Sequence, residues 1–316
     1  MIELAIIIPA YKQEYFEKAL NSICSQTNKN FNLYVGDDCS PYSLKEICNQ
    51  FADRINLNYH RFEKNLGGKD LVAQWERCVN LAGDEKWIWL FSDDDLADSN
   101  CVEKFYEALS ITSSFYDVYR FNTSIIDADD IFLAAARVSP KLENPMSLAI
   151  NILKWKRGNS MPDHIFKKQK YNELGGFVNF IQGQASDWAT SINFSYPKGL
   201  YTIEGPRVEW RRSGKNISSN AAKNKSRLIF GHLEFIYWIN NKFNNADQYI
   251  YGVKLSEIHI ESKNNLAMVL KSHYKGIPWH KFIEIALIIS KAFNEPLLKS
   301  FMFCFKINYV VFRSKY

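Results

Sequence analysis

The stretch KWIWLFSDDDLADSN, residues 86–100, runs an unbroken apolar segment, Trp87 to Phe91, into three consecutive carboxylates, Asp93, Asp94 and Asp95. A short apolar run without polar alternation is the pattern of a strand buried on both faces. Three acids directly after such a strand repel one another unless a counterion lies among them. Hard divalent cations choose oxygen ligands, so the stretch reads as a strand that delivers carboxylates to a metal ion. Asp98 or Ser99 is placed to cap the helix NCVEKFYEALS (100–110), whose positive end the preceding acids also favour.

Upstream, the same alternation repeats. ELAIIIPAY (3–11) is a buried-strand pattern, EYFEKALNSICSQT (14–27) has helical apolar spacing, and NFNLYVGDDCS (30–40) is a second strand closing in Gly36, Asp37 and Asp38. SLKEICNQFADR (43–54), INLNYHRF (55–62) and KDLVAQWERCVNLA (69–82) predict helix, strand and helix before the opening stretch. Strand and helix in that alternation imply right-handed crossovers and a mainly parallel, Rossmann-like sheet flanked by helices, an α/β fold. Ligands of such sheets gather beyond the carboxyl ends of the strands. No G-x-G-x-x-G follows the first strand and no G-x-x-x-x-G-K-[ST] occurs, so phosphates must be met another way, through a cation held by acids.

With 316 residues, 47% of them hydrophobic and 15% aromatic, the chain can bury a large core. Its six cysteines are scattered without a C-x-x-C pair, which argues against a disulfide framework or structural zinc and for a reducing compartment. Neither a signal-peptide pattern nor a membrane-spanning run is visible, and a cytoplasmic protein is expected. The net charge of +5 hides an asymmetry: residues 1–205 carry 21 basic against 27 acidic side chains, and residues 206–316 carry 18 against 7. The basic half reads as a lysine-rich helical surface or a membrane-facing one rather than a nucleic-acid site.

Taken in order, these segments resemble glycosyltransferase family 2, the inverting nucleotide-sugar transferases of GT-A fold. IIIPAYKQEYFEKALNSICSQT resembles the family's first strand and helix, NLYVGDDCS its VDDGS turn, NLGG (65–68) its NxG turn, and SDDDLAD its Asp-x-Asp metal motif. YNELGGF (171–177) and SDWATSINF (186–194) resemble the GGF loop and the segment that carries the catalytic base. The resemblance covers about residues 1–220. It implies a GT-A catalytic domain over 1–220, with a nucleotide-binding half (1–115) and an acceptor half (116–220), followed by a helical extension (221–316).

It further implies that Pro9, Tyr11, Asp37, Asp38, Asn65, Gly67 and Asp93 line a pocket for the nucleotide, usually uridine, one aspartate accepting from the base. Mn2+ or Mg2+ would be held by Asp93, Asp94 and Asp95, either with Ser92 at the motif's first position and Asp94 as the chief ligand, or with Asp93 and Asp95 as the pair. Asp187 would be the base, the family's preceding Glu being Ser186 here. Arg211 and Arg212 would close over the phosphates or the acceptor, and Ser213 stands where many relatives have a histidine. Lys69 and Arg77 read as solvated helix residues or phosphate contacts. Trp155, Trp188 and Trp210 are candidates for stacking on sugar rings, and Asp163 and His164 for the acceptor side.

The implied activity is transfer of a sugar, from a UDP-sugar in the first instance, to a hydroxyl of a glycan or lipid-linked glycan in bacterial surface polysaccharide assembly. The competing readings are a sugar nucleotidyltransferase and an inactive sugar-nucleotide-binding scaffold. The last segment, PLLKSFMFCFKINYVVFRSKY (296–316), mixes aromatic and basic residues without an acid. It suits peripheral contact with the inner face of a membrane, or packing on the domain or on a second subunit.

Overall fold

Strand β1 (Leu4–Ala10) is apolar because both of its faces are covered, and Leu4 to Ile8 have no exposed surface. In the computed structural model, which describes residues 3–214, 221–243 and 255–314, the alternation read from the sequence is present. β1 is followed by α1 (Phe16–Cys24), β2 (Phe31–Asp37), α2 (Leu44–Asn49), β3 (Leu57–Arg61), α3 (Leu71–Val79) and β4 (Trp87–Leu90). β1 pairs in parallel with β2 and β4, and β2 with β3, so all four strands end at one rim.

Then come β5 (Leu96–Ala97), α4 (Cys101–Ile111), β6 (Val118–Ile126), β7 (Phe132–Ala135), β8 (Leu142–Glu143), α5 (Pro145–Leu153), β9 (His164–Lys167), α6 (Lys168–Leu174), α7 (Ser186–Ser195) and β10 (Leu200–Arg211). Among the described residues one sheet takes all ten strands, in the order β3-β2-β1-β4-β9-β6-β10-β5, with β7 on β6 and β8 on β10. β9 runs antiparallel to both neighbours, so the sheet is parallel from β3 to β4 and mixed beyond β4. The helical C-terminal region holds α8 (Ala221–Lys242), α9 (Leu255–Met268), α10 (Phe282–Ala292) and α11 (Leu297–Arg313).

The chain divides into two compact units. The first comprises Met1–Pro145, Arg157–Asn179 and Thr190–Ser213 and contains the whole sheet. Its core is aromatic: Trp87 meets Phe105 and Tyr119 edge-on, and Trp89 meets Phe91 and Phe121. The buried Trp89 indole finds its partner in the Pro162 carbonyl at 2.6 Å. Helix α4 corrects one expectation. Asp98 does not cap it: its carboxylate accepts from the Arg207 N–H at 2.8 Å, and the Val102 N–H is taken by the Gln26 side chain at 2.9 Å. A residue remote in sequence thus satisfies the helix end.

Asp163 and His164 lie in a buried polar network of this unit. The Asp163 carboxylate accepts from Ser160 N–H and Oγ at 2.7 and 2.6 Å, and His164 Nδ1 is 2.7 Å from the Ser160 carbonyl. Burial opposes ionisation of Asp163, but His164, Ser160 and Arg120 outweigh it and hold its carboxyl below the usual range. A depressed folded-state pKa contributes stability that is complete above the unfolded value of about 4 and is lost as pH falls through the folded value. The urea midpoint of the wild type should therefore drop more steeply on acidification below about pH 4 than that of Asp163→Asn; parallel pH profiles would show that Asp163 contributes nothing.

The second unit comprises Met146–Lys156, Phe180–Ala189 and Gly214–Tyr316. Within it α8 packs on α9 and α10, and α10 on α11. Gly231 lets α8 pass close to the Ile181 carbonyl, which a Cβ would meet at 2.3 Å. His232 is buried, bonded to Asn265 at 2.8 Å and pushed down by burial to about 4, so it is neutral near pH 7. All six cysteines are free thiols. Among the described residues no helix is long and apolar enough to cross a membrane.

Candidate functional site

The rim of the first unit is built from the ends of β1, β2, β3 and β4, and its acids are organised differently from one another. Asp37, wholly buried at the end of β2, accepts from Ser40 N–H at 2.7 Å, from Arg61 Nη1 at 2.8 Å and from the Tyr59 hydroxyl. These bonds tie the loop after β2 to β3, and Ser40 Oγ donates onward to the Tyr11 carbonyl at 2.7 Å. Pro9 lies opposite Gly36 in the β1–β2 register, one residue before this loop begins, and Tyr11 is 43% exposed. A cleft of about 640 Å3 opens beside Asp37, lined by Ser40, Tyr42, Lys45, Tyr59 and Arg61 among others.

Asp38 shapes the next loop. It accepts from Asn65 Nδ2 at 2.8 Å, Leu66 N–H at 2.7 Å and Gly67 N–H at 2.9 Å, and pairs with Arg77. A Cβ at residue 67 would come within 2.8 Å of the Asp38 carboxylate, which is why glycine stands there. Arg77 is not a solvated helix residue: it also donates to the Lys64 carbonyl at 3.0 Å and lies 3.9 Å over the Phe62 ring. Lys69 is exposed.

The triplet after β4 is buried and its members diverge. Asp93 Oδ2 accepts from the N–H groups of Tyr11 and Lys12, each at 2.9 Å, which joins the end of β4 to the end of β1. Asp95 Oδ1 accepts from Arg211 N–H at 2.9 Å, joining it to β10. Asp94 takes the Ser92 hydroxyl at 2.5 Å and the Lys12 ammonium, which also lies 3.5 Å from Asp93 Oδ1. Burial raises the Asp93 carboxyl against the pull of Lys12, and raises that of Asp95 well above the usual range, with Asp94 adding repulsion. Burial opposes the Lys12 charge too, but Asp93, Asp94 and Asp95 together outweigh it and raise its pKa. Lys12 is the feature the sequence reading missed; a lysine 81 and 82 residues away from two of the acids carries no local signal.

Arg211 is wholly buried, with Nε on the Asp94 carbonyl at 2.7 Å, Nη1 on the Asp127 carbonyl at 3.0 Å, an ion pair to Asp130, and the Tyr15 ring 4.4 Å from its guanidinium. It braces the backbone of the triplet, and the exposed arginine of the pair is Arg212, whose guanidinium lies 5.8 Å from the Trp210 ring. Residues 215–220, just beyond Ser213, lie outside the described residues. The GGF loop has a physical basis: Gly175 ends α6 at φ +73°, and at Gly176, φ +106°, a Cβ would meet Glu76 Oε1 at 2.3 Å.

Asp187 stands in the first turn of α7, within the second unit, with Trp188 N–H donating to its Oδ1 at 2.9 Å. A carboxylate there is favoured by the positive helix end. Trp188 meets Trp155 edge-on at 5.4 Å and lies against Phe235.

The sheet's parallel half ends in clustered carboxylates, with the open cleft beside Asp37, and the fold is of the GT-A type. Residues 5–125 match the sequence model of the family Glycosyl transferase family 2. The chain is similar to the poly(ribitol-phosphate) beta-N-acetylglucosaminyltransferase TarS of Staphylococcus aureus, 29% identical over 129 residues, 40% of this chain and 21% of that protein. The matched stretch is thus about a fifth of that relative's length. The crystal structure of S. aureus TarS residues 1–349 with UDP-GlcNAc superposes with a TM-score of 0.69 at 14% identity, covering 99% of this chain and 91% of that one. The mannosyltransferase PcManGT of Pyrobaculum calidifontis, solved with GDP-Man and Mn2+, matches at TM-score 0.52 and 13% identity over 97% of this chain and 87% of its own. Residues 5–125 are thus similar to glycosyltransferase family 2, and the whole chain shares the fold of these solved structures.

Proposed function

We propose that this protein transfers a sugar, with inversion, from a uridine diphosphate sugar to a hydroxyl of a glycan or lipid-linked glycan, in bacterial surface polysaccharide assembly. The observation that carries this reading is the buried triplet at the sheet rim, where Asp93 and Asp94 converge on a cation, the Lys12 ammonium. In this reading Pro9, Tyr11, Asn65 and Gly67 would line the uridine pocket, Asp37 and Asp38 would serve it from the loops that they brace, and Arg212 would meet the phosphates or the acceptor. UDP and UDP-GlcNAc bound to TarS, and GDP-Man with Mn2+ bound to the mannosyltransferase, support a nucleotide-sugar donor and a divalent cation.

Mg2+ or Mn2+ is the cation that this reading calls for, and among the described residues no three acid, histidine or cysteine side chains converge to hold it, so two carboxylates and the substrate would have to. Such ions are held by one or two carboxylates together with substrate phosphates, and Asp94 with Asp93 supplies that pair, while Asp95 anchors the cluster to β10. When bound, the ion would neutralise charge on the departing diphosphate. The chain's own residues do the rest. Asp187 accepts the proton of the attacking hydroxyl, Arg211 keeps the Asp94 backbone in place, and Asp93 holds the β1 loop against β4.

Because Lys12 already compensates the pair, it competes with the ion. Lys12→Met should bind Mn2+ about tenfold more tightly by calorimetry without nucleotide, an electrostatic difference of about 1.4 kcal/mol. Equal affinities would place the cation elsewhere. The function itself is tested by incubating the chain with several UDP- and GDP-sugars and Mn2+, with and without EDTA. EDTA-sensitive release of UDP is expected. Binding without turnover would point to a scaffold, and pyrophosphate-dependent nucleotide formation to a nucleotidyltransferase.

A further inference from the structure

Helix α11 divides its surface into three stripes. Ser300, Cys304 and Ile307 are buried against the second unit. On the opposite side, by the helical period of about 3.6 residues, Leu298, Met302, Phe305, Tyr309 and Phe312 form a continuous apolar line, each between 55 and 73% exposed. Lys299, Lys306 and Arg313 recur every seven residues along one edge of that line. From Pro296 to Arg313 there is no acidic residue; Glu295, just before the helix and largely buried, lies 3.5 Å from the exposed Lys299 ammonium. Trp279, 67% exposed, extends the patch, with its ring 6.1 Å from that of Phe305.

An apolar face turned away from the protein's own core has no folding role, and exposed patches of this kind mark interaction sites. The charge says which. A twofold interface between two copies would set one basic edge near another with no acid on the helix to relieve it, whereas lipid phosphates complement that edge directly. Aromatic rings and long basic side chains are also the groups that settle at a headgroup boundary, with apolar stems inward and charged tips outward. We propose that this face of α11, with Trp279, is a docking surface for an anionic lipid bilayer, the helix lying in the plane of the headgroups. The proposal goes beyond the transferase reading and rests on none of its residues; Lys315, beyond Ser314, lies outside the described residues.

The test is flotation of the full chain with vesicles of phosphatidylcholine alone and of phosphatidylcholine mixed with phosphatidylglycerol. Binding to the mixed vesicles is expected, weakened by salt. It should fall roughly tenfold or more in the double variant Met302→Glu, Phe305→Glu, and comparably in the triple variant Lys299→Gln, Lys306→Gln, Arg313→Gln. All these side chains are exposed, so circular dichroism and UDP release in solution should match the wild type. Absence of binding to the mixed vesicles, or binding that neither variant changes, would overturn the proposal. So would a wild-type dimer in sedimentation equilibrium that Met302→Glu, Phe305→Glu dissociates, since the face would then belong to a second copy.

Discussion

Asp187→Asn is expected to lower turnover by about a hundredfold or more, the usual contribution of a positioned general base. Asparagine has the same shape and keeps an oxygen that can accept the Trp188 N–H, so the first turn of α7 should survive the change. What disappears is the ability to take a proton from the incoming hydroxyl. The effect should fall on kcat, with the dissociation constant for UDP unchanged, because Asp187 is assigned to the acceptor reaction and not to the nucleotide. The measurement is the initial rate of UDP release with donor and acceptor, alongside UDP binding by calorimetry and a circular dichroism spectrum. An undiminished rate would remove Asp187 from the mechanism, and loss of UDP affinity would give it a different role.

The largest stability effect is expected at Glu143. Its Oε1 lies 2.6 Å from Arg157 and its Oε2 3.5 Å from Arg120, and the three side chains are exposed by only 1, 4 and 1% respectively. Burial lowers Arg120 to about 10, the neighbouring Arg157 works in the same direction, and Glu143 opposes both. Glu143→Gln leaves two buried guanidiniums facing each other without their carboxylate. Removing one partner from a buried charged group costs about 3–5 kcal/mol. A chain of two units need not unfold in one step, so hydrogen exchange of the β6 and β10 amides, which flank the network, is the direct readout. Unchanged protection there would mean that the arginines are relieved by something other than Glu143.

Local patterns carried the parallel half of the fold. Unbroken apolar runs made β1 and β4 recognisable, helical spacing marked α1 to α3, and the segments at Asp37–Asp38 and Asn65–Gly67 marked two of the loops between. The triplet Asp93 to Asp95 was legible for the same reason, since contiguous charge after a buried strand is a conflict visible without coordinates. The pairing of β9 was not legible. His164–Lys167 is four residues long, and nothing in it specifies that it runs antiparallel between β4 and β6. Asp98 was misread as a helix cap because the residue that serves α4, Gln26, is remote from it in the sequence. A helix register leaves Arg77 as a solvated residue or a phosphate contact, and it cannot show that Asp38 and Phe62 lie beneath it.

The chain's order of residues determines which groups arrive at the rim: strand periodicity and the alternation of strand with helix put the ends of β1, β2 and β4, and hence their acids, on one edge. Tertiary structure alone decides how those acids differ. Asp37 and Asp38 become braces for loops, Asp93 and Asp95 are drawn to the backbones of β1 and β10, and Asp94 is left with Lys12 and Ser92. The physical reason is that burial multiplies every electrostatic difference between neighbouring carboxylates, and burial is a property of packing among distant segments, which no local pattern encodes.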